Sequence, residues 1–467
     1  MAAHTVVDVG GMARPSGQLD AAAALRPHAG LLGVRAAAHL LRRAGFGGTP
    51  DEIARFAVMT AADAAASLVR MPPANAVAPP PELTAVALGR PANRNIIRDV
   101  QLWWLGRMLT TPAPLQEKMT LYFHGHFTSR ATPRFPWITY NQNALLRRYA
   151  LGNLRELTRD VSKDAAMLIY LDGNVNVAAH PNENYARELM ELFTLGVDEY
   201  TEDDVRESAR AWTGWRVDRR DDSVSFNPAL HDAGIKQFLG RRGDFDGDQI
   251  VDIIFEQPQC ARFFAGGLLN WFVYNDPEPP LVESVAQLLR KHDFELSPVV
   301  EAILRSEVFH SDRAYRALVK SPVEFVVGSY KTLGLGAMDI GVIDALQQMG
   351  QRLFFPPTVA GWPGGANWLT SGTMIARQNF LSRLLNSQTA NGSSWLGNLS
   401  LHPTTAAQRV AQNVLQDDVA PAALHEIDAF LSGTGSAALA ELSVENFQQR
   451  SSGAVYLAMA TPAYQLN

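Results

Sequence analysis

Two glutamates in the middle of the chain occupy positions that require either a strong ion pair or a chemical role. Glu188 and Glu191 lie three residues apart and share a stripe with Asn184, beside an apolar stripe at helical spacing. A carboxylate next to a core face needs a cation, because an unpaired buried charge is costly. The pattern indicates either an ion-pair network with Arg206 or Arg210 of the following helix, or a polar pocket in which both glutamates hold a metal.

Two histidines near residue 125 are the candidate metal ligands. His124 and His126 are two positions apart, so they share a side only in extended backbone, which Gly125 would permit at a helix end. With Glu188 or Glu191 they would form a histidine–carboxylate set of the kind that binds zinc or iron, so a divalent metal is the expected cofactor. The alternative is that both histidines cap the preceding helix and pack against aromatic rings, because no HExxH-type spacing fixes the ligands.

A polar loop around residue 231 is a further candidate for catalysis. Asp232 can orient an imidazole, as carboxylates do in hydrolytic triads, so His231 and Asp232 join Glu188 and Glu191 as candidate catalytic residues. A polar loop held by turns is the alternative interpretation. Lys236 follows in the same loop and can bind an anion. The candidate binding residues are Asn184, Arg187, Arg210, Lys236, Trp362 and Trp368.

The two tryptophans flank a loop rich in glycine and proline. Trp362 and Trp368 can form an aromatic platform for a sugar ring, because an indole offers a large apolar face and a polar edge. They can equally fill the core beside Trp212 and Trp215. The sequence favours the second interpretation.

The elements that must position the glutamates are two consecutive helices. Asn182 can cap the first, which is predicted over residues 183–195 and is stopped by Gly196. Thr201 can cap the second, whose first turn is acidic and which is closed by Gly214. Both glycines are therefore expected to adopt positive φ.

The connection between these two helices is short, so the second must return along the first. This arrangement brings an arginine within reach of the acidic stripe. We therefore predict that Glu188, Arg210 and at least one of His124 and His126 lie in one polar cluster inside the helical body.

The composition limits the classes of function. The 467 residues are 47% hydrophobic and 19% charged with a net charge of −6, which argues against a nucleic-acid-binding protein. The single cysteine, Cys260, excludes a disulfide framework or a cysteine-built zinc site within one chain. The sequence lacks GxSxG, GxxxxGK[ST] and Rossmann fingerprints, so serine hydrolases, nucleoside triphosphatases and nicotinamide enzymes lose support.

Helical periodicity runs along most of the chain and predicts an all-α fold: a large multi-helix single domain with long loops and at most a short hairpin near residues 215–226. We expect residues 1–33 to be a flexible N-terminal arm and residues 34–467 to be the helical domain. Within it, residues 71–93 are predicted to be a proline-rich loop and residues 387–467 a C-terminal helical segment of the same body.

The sequence also indicates where the protein is located. No apolar run reaches the roughly 18 residues that a membrane span needs. The first residues lack the charged and apolar regions of an export signal, so we expect a cytoplasmic protein.

Several stretches resemble a bacterial family catalogued as a domain of unknown function, DUF 1800. They occur in the family's order and are HLLRRAGFG at 39–47, LQEKMTLYFHGHFTS at 115–129, YLDGNVN at 170–176, NENYARELMELFTLGVDEYTEDDVRESARAWTGW at 182–215, NPALHDAGIKQFLG at 227–240, SPVEFVVGSYKTLG at 321–334, PPTVAGWPGGANWL at 356–369 and TPAYQLN at 461–467. The family usually reads Trp-His-Asn-His-Phe where this chain reads Phe-His-Gly-His-Phe at 123–127.

The resemblance implies a mainly helical fold but no established reaction. Members of the family are often encoded beside a protein with an alkaline-phosphatase-like fold. Many members look exported, so the resemblance makes export the alternative to a cytoplasmic location. Two classes of function follow. One is a hydrolase-type enzyme with a histidine–carboxylate site. The other is a non-catalytic binding or scaffold protein that acts with the alkaline-phosphatase-like partner.

Overall fold

The computed structural model describes residues 21–70, 78–87, 95–218, 223–386, 403–416, 419, 421–432 and 444–467. The α-helices of the first half are α1 Ala21–Ala24, α2 Gly33–Arg43, α3 Pro50–Ala57, α4 Ala61–Val69, α5 Pro81–Ala87, α6 Ile96–Thr110, α7 Pro114–His126, α8 Pro136–Arg148, α9 Leu154–Ser162, α10 Ala165–Tyr170, α11 Asn184–Glu188 and α12 Glu202–Ala211. The α-helices of the second half are α13 Gly247–Glu256, α14 Pro258–Phe272, α15 Pro279–Lys291, α16 Leu296–Leu304, α17 Pro322–Leu333, α18 Gly341–Gln348, α19 Ser371–Asn386, α20 Pro403–Val410, α21 Pro421–Ser432 and α22 Val444–Ala460. The strands are β1 Trp215–Asp218, β2 Ser223–Phe226, β3 Lys236–Phe238 and β4 Arg241–Gly243.

These elements confirm the predicted mostly helical class. The predicted hairpin is present as the antiparallel pair β1–β2, but a second pair, β3–β4, was not predicted. Leu239 and Gly240 connect β3 to β4 with φ of 44° and 78°, the two positive values of a type I′ turn. Leucine rarely adopts this conformation, and the sequence lacks the usual Asn-Gly or Asp-Gly signal. The Leu239 amide donates to Asp204 Oδ1 at 2.7 Å, which helps to hold the turn.

Two hydrophobic cores meet at α7 and α14. The first is formed mainly by α2–α4, α9 and α11–α16, and the second by α6 and α17–α22. Phe123 of α7 belongs to the first core and Leu121 to the second, while Trp271 of α14 packs against both. The surroundings of α7 and α14 therefore depend on how the two cores are joined.

Buried ion pairs fix α7 between the two cores. Glu117 is fully buried and accepts hydrogen bonds from Arg147 Nε at 2.7 Å and from Trp104 Nε1 at 2.9 Å. The neighbouring Lys118 pairs with Glu324 of α17. Burial is the largest single effect on Glu117 and raises its pKa, but its partners Arg147 and Arg107 together outweigh burial, so the pKa is lowered. Removing one partner would leave an uncompensated buried charge, so α7 is strongly held in position.

The central pair of helices differs from its prediction in two respects. The first helix begins at Asn184, with Glu183 instead of Asn182 at its N-cap position. The first helix is α-helical only over α11 and continues as a π-helix at Leu189–Thr194, where Thr194 Oγ1 donates to the Leu189 carbonyl at 2.5 Å. A π turn bonds residues five apart, which changes the direction of side chains after Glu188. Thr201 caps α12 as predicted, and the structure shows in addition that it forms a capping box with Asp204.

The chain ends and the proline-rich loop show how the remaining segments pack. Residues 21–33 contact the body through bridges of Pro27 with Ser306 and of Leu31 with Thr60, whereas residues 1–20 of the expected arm lie outside the described residues. The loop predicted at 71–93 contains α5. The C-terminal segment supplies α20–α22 to the second core. No helix among the described residues is long and apolar enough to cross a membrane.

We expect Gly196→Ala and Gly214→Ala to destabilise the protein, because both glycines have the predicted positive φ, 97° and 99°. Positive φ costs alanine about 1 kcal/mol or more. Gly214→Ala should lower the free energy of unfolding more than Gly196→Ala does, since an added Cβ at position 214 would meet the Asn227 carbonyl oxygen at 3.0 Å. Gly106→Ala in α6 is the control and should stabilise by up to about 1 kcal/mol, because its Cβ meets no atom within 4 Å. Urea unfolding measures all three, and unchanged stability of both test variants would contradict the expectation.

Candidate functional site

A pocket of about 510 Å³ lies where α7, α14 and the loop at 351–368 meet. This volume is in the range of small-molecule sites. The lining residues are Leu121, Tyr122, Gly125, His126, Arg262, Phe263, Gly266, Gly267, Asn270, Trp271, Gln351, Trp362 and Trp368. The pocket is therefore rich in aromatic rings and contains a few polar groups.

Glycines of two helices keep this pocket open. A Cβ added at Gly125 of α7 or at Gly266 of α14 would meet no atom within 4 Å, apart from the chain neighbours and helix backbone of each glycine. A Cβ at Gly267 would lie 2.5 Å from the Tyr122 hydroxyl oxygen. Glycine inside a helix costs roughly 0.5–1 kcal/mol relative to alanine. Packing alone does not require glycine at positions 125 and 266, so the open space at these two positions comes at a cost in helix stability.

The loop that carries the tryptophans packs directly on α7. Gly361 has a φ of 81°, and a Cβ there would lie 2.5 Å from the carbonyl oxygen of Gly125. Thr128 donates a hydrogen bond to the Val359 carbonyl and holds the same loop. Glycine at position 361 is thus required both by its conformation and by this close approach of two backbones.

Both tryptophans of this loop are half-buried and line the pocket. The Trp362 ring lies 5.3 Å from the ring of His124. Their packing differs from the favoured sequence interpretation, in which they fill the core beside Trp212 and Trp215. Trp212 instead packs against Tyr185, and Trp215 against Phe226. The platform interpretation agrees better with this geometry.

His126 connects the pocket to the central helices. Its Nε2 donates to the carbonyl of Phe193 at 2.9 Å, at the end of the π-helix, where carbonyls lack intrahelical partners. The Nδ1 has no hydrogen-bond partner among the described residues, so it can accept a hydrogen bond from a ligand. Burial lowers the pKa of His126 to about 4, and the imidazole is therefore neutral near pH 7.

His124 faces away from His126. Helix α7 continues through both histidines, and residues two apart in a helix lie on different sides. The Nε2 of His124 accepts a hydrogen bond from the Phe354 amide at 3.1 Å, and its ring packs against Trp104 at 5.1 Å. The expected extended turn is therefore wrong, and the packing against aromatic rings is as the alternative predicted. Among the described residues, no group of three or more His, Cys, Asp or Glu side chains is placed to hold a metal ion.

The acidic stripe makes separate contacts near the surface. The Arg187 guanidinium forms two hydrogen bonds with Glu202, at 2.7 and 2.8 Å, and joins the two central helices. Glu191 accepts from the Tyr200 hydroxyl at 2.7 Å, and Asn184 donates to Asp172 at 3.3 Å. Glu188 is half-buried without a hydrogen bond to any described residue. Burial, followed by the charge of Glu191, raises the pKa of Glu188.

The loop residues form a second network of their own. Arg210 donates to Asp232 at 2.7 Å and to Glu207 at 2.7 Å, and its hydrogen bond lowers the pKa of Asp232. The Nδ1 of His231 contacts the Thr213 carbonyl at 3.0 Å, so Asp232 does not orient this imidazole. Lys236 is buried and donates to the carbonyls of Asp232 and Gly234.

The predicted common cluster is therefore not formed by these contacts. Arg210 forms ion pairs with Glu207 of its own helix and Asp232 of the following loop. Glu188 instead interacts electrostatically with Glu191 and Arg187. The joining ion pair between the two helices exists, but it is made by Arg187 instead of Arg210. Neither His124 nor His126 has a hydrogen bond to either network among the described residues.

Sequence reasoning missed most of the pocket. The lining residues Tyr122, Asn270, Trp271 and Gln351 are not among the candidate residues that the sequence indicates. The sequence contains one signal for the pocket, the consecutive glycines Gly266 and Gly267 inside a helical pattern. Glycine is unfavourable there and suggests a functional or packing role.

We expect the two buried histidines to make stability depend on pH. Burial lowers the pKa of His126 to about 4 and that of His124 to about 3, whereas histidine in an unfolded chain titrates near about 6.5. Between these values only the unfolded state binds the additional protons, so their contribution to stability falls as the pH drops from about 6.5 towards 4.

Urea unfolding at pH 7.5 and 5.0 checks this expectation with His124→Gln, and with His180→Gln at an exposed position as the control. The wild type and the control should lose more stability on acidification than His124→Gln. Equal losses in all three proteins would contradict the assignment.

Comparison with known proteins identifies the family of the chain. No curated protein and no solved structure matches it. Residues 39–466 match the family described as "Protein of unknown function (DUF1800)", which covers all three elements of the pocket. With most of its length matched, the chain belongs to the DUF1800 family.

Proposed function

We propose that this protein binds a carbohydrate in the pocket between α7, α14 and the tryptophan loop. The observation that carries the proposal is the pair Trp362 and Trp368 in a pocket that three helical glycines also line. An indole face packs against the apolar face of a sugar ring, while hydroxyl groups at the ring edge need hydrogen-bond partners.

Hydrogen-bonding groups that no described residue uses are present on side chains of the same pocket. Gln351 Oε1 accepts from the Val323 amide at 3.0 Å and Asn270 Oδ1 from the Asp276 amide at 3.0 Å, which leaves the two NH₂ groups as donors. The Nδ1 of His126 is an acceptor. Hydroxyl groups of sugars both donate and accept, so this mixture suits them.

A further polar group of the pocket wall lacks a partner among the described residues. The Tyr122 hydroxyl belongs to a lining residue and makes no hydrogen bond with them. A hydroxyl that is left unpaired beside apolar walls costs about 1–3 kcal/mol, and a ligand oxygen would remove that cost. This group supports a polar ligand over a purely apolar one.

The geometry favours the binding class over the hydrolase class. None of the described lining residues is an aspartate or glutamate, whereas glycoside hydrolysis commonly uses a pair of them. Hydrolysis is the second candidate, and the observation in its favour is that His126 lines the pocket and has no described hydrogen-bond partner at Nδ1, the nitrogen that would take a proton from water. Analysis of the ligand for cleavage products distinguishes the two.

We expect wild-type protein to bind members of a panel of neutral and acidic oligosaccharides, measured by tryptophan fluorescence and calorimetry. Trp368→Ala should weaken binding about tenfold or more, because loss of an aromatic contact of about 1.4 kcal/mol changes affinity tenfold. Gly266→Leu should abolish binding by filling the pocket, and its thermal midpoint should stay near that of wild type.

Gly106→Leu, at a helical glycine that does not line the pocket, is the matched control and should bind as wild type does. Failure of wild type to bind any oligosaccharide, or full binding by Gly266→Leu, would overturn the proposal.

A further inference from the structure

We infer that the carbohydrate carries an anionic substituent, a carboxylate or a phosphate, which Arg262 binds at the rim of the pocket. The inference rests on the proposed function and narrows the class of ligand. It is based on the charges around the pocket and on the way in which Arg262 is held.

Arg262 extends from α14 and lines the pocket with about half of its side chain exposed. Its Nε donates to Glu283 Oε2 on α15 at 2.8 Å. The two terminal nitrogens make no hydrogen bond with any other described residue. A guanidinium held through Nε still presents two parallel N–H donors, the geometry that carboxylate and phosphate groups match.

Glu283 does not neutralise Arg262, because a second arginine shares it. Arg290 Nη2 donates to Glu283 Oε1 at 2.7 Å. The hydrogen bonds from Arg262 and Arg290 lower the pKa of Glu283 to about 2, so at neutral pH two positive charges face one negative charge. The group keeps a net charge of +1 at the pocket rim.

No other formal charge balances this group within the pocket. Arg262 is the only residue with a charge at neutral pH among the described residues of the lining, since His126 is neutral there. The remaining lining is aromatic, aliphatic, amide or glycine. An anionic group on the ligand would therefore meet an uncompensated cation beside low-polarity walls, where electrostatic attraction is stronger than in open water.

An ordinary surface ion pair is the alternative explanation, and such pairs contribute little. Arg290 provides the matched control, because it bonds to the same carboxylate but does not line the pocket. Arg262→Gln and Arg290→Gln remove the same charge from the same network. Only the first removes a group that a ligand in the pocket can reach.

The experiment measures the affinity of wild type, Arg262→Gln and Arg290→Gln for three classes of probe at low and high salt. The probes are neutral oligosaccharides, the matching uronic acid oligomers and the matching sugar phosphates. Wild type and Arg290→Gln should bind at least one anionic class about tenfold more tightly than its neutral counterpart at low salt, and less so at high salt. Arg262→Gln should lose this preference, so that its affinity for the anionic probe falls more than its affinity for the neutral probe.

The class that shows the preference identifies the substituent as carboxylate or phosphate. Equal affinity of wild type for neutral and anionic probes would overturn this inference and leave the proposed function intact. An equal loss in both variants would also overturn it, because it would reflect overall charge. Binding of no probe of any class would overturn both the inference and the proposed function.

Discussion

The hydrogen bond from His126 to the carbonyl of Phe193 is the contact on which the arrangement of the site depends. It joins the end of α7, which is fixed between the two cores, to the end of the π-helix. The bond requires a proton on Nε2, and burial keeps the imidazole neutral. Nε2 is therefore used within the protein, whereas Nδ1 of this lining residue is an acceptor without a partner among the described residues.

Around this contact, the stability of the helices and the open volume of the pocket place opposite demands on the sequence. Buried ion pairs at Glu117 and Lys118 hold α7 firmly, whereas the glycines at 125 and 266 weaken their helices to leave space. The tryptophan loop can approach the backbone of α7 this closely only because position 361 is glycine. Proteins commonly show such local violations of helix preference at functional sites, which is why the pocket is the best-supported site of the molecule.

The sequence predicted features that depend on local chemistry. The Thr201 cap, the positive φ of glycines 196 and 214 and the first hairpin follow from short-range rules, and the structure has all of them. It did not predict the π turn after Glu188, because α and π turns carry the same apolar pattern over so few residues. The β3–β4 turn was missed because Leu239 adopts its conformation through a tertiary hydrogen bond.

The site was harder to predict for a related reason. The expected metal set assumed that α7 ends before His124, but Gly125 is tolerated inside the helix, and the two histidines are directed to different neighbours. Arg210 also pairs with Asp232 of the loop that follows its helix, and no spacing rule specifies this contact. The pocket brings together residues separated by more than two hundred positions, such as Tyr122 and Trp368, and only the packing of the two cores defines that proximity.

The position of a bound saccharide is the most direct test of this account. Crystals of the protein soaked with the tightest-binding oligosaccharide should show a sugar ring packed against Trp362 or Trp368, with hydroxyl groups within hydrogen-bond distance of His126 Nδ1 or the Gln351 amide. A sugar bound elsewhere on the molecule, with the pocket filled only by water, would contradict it.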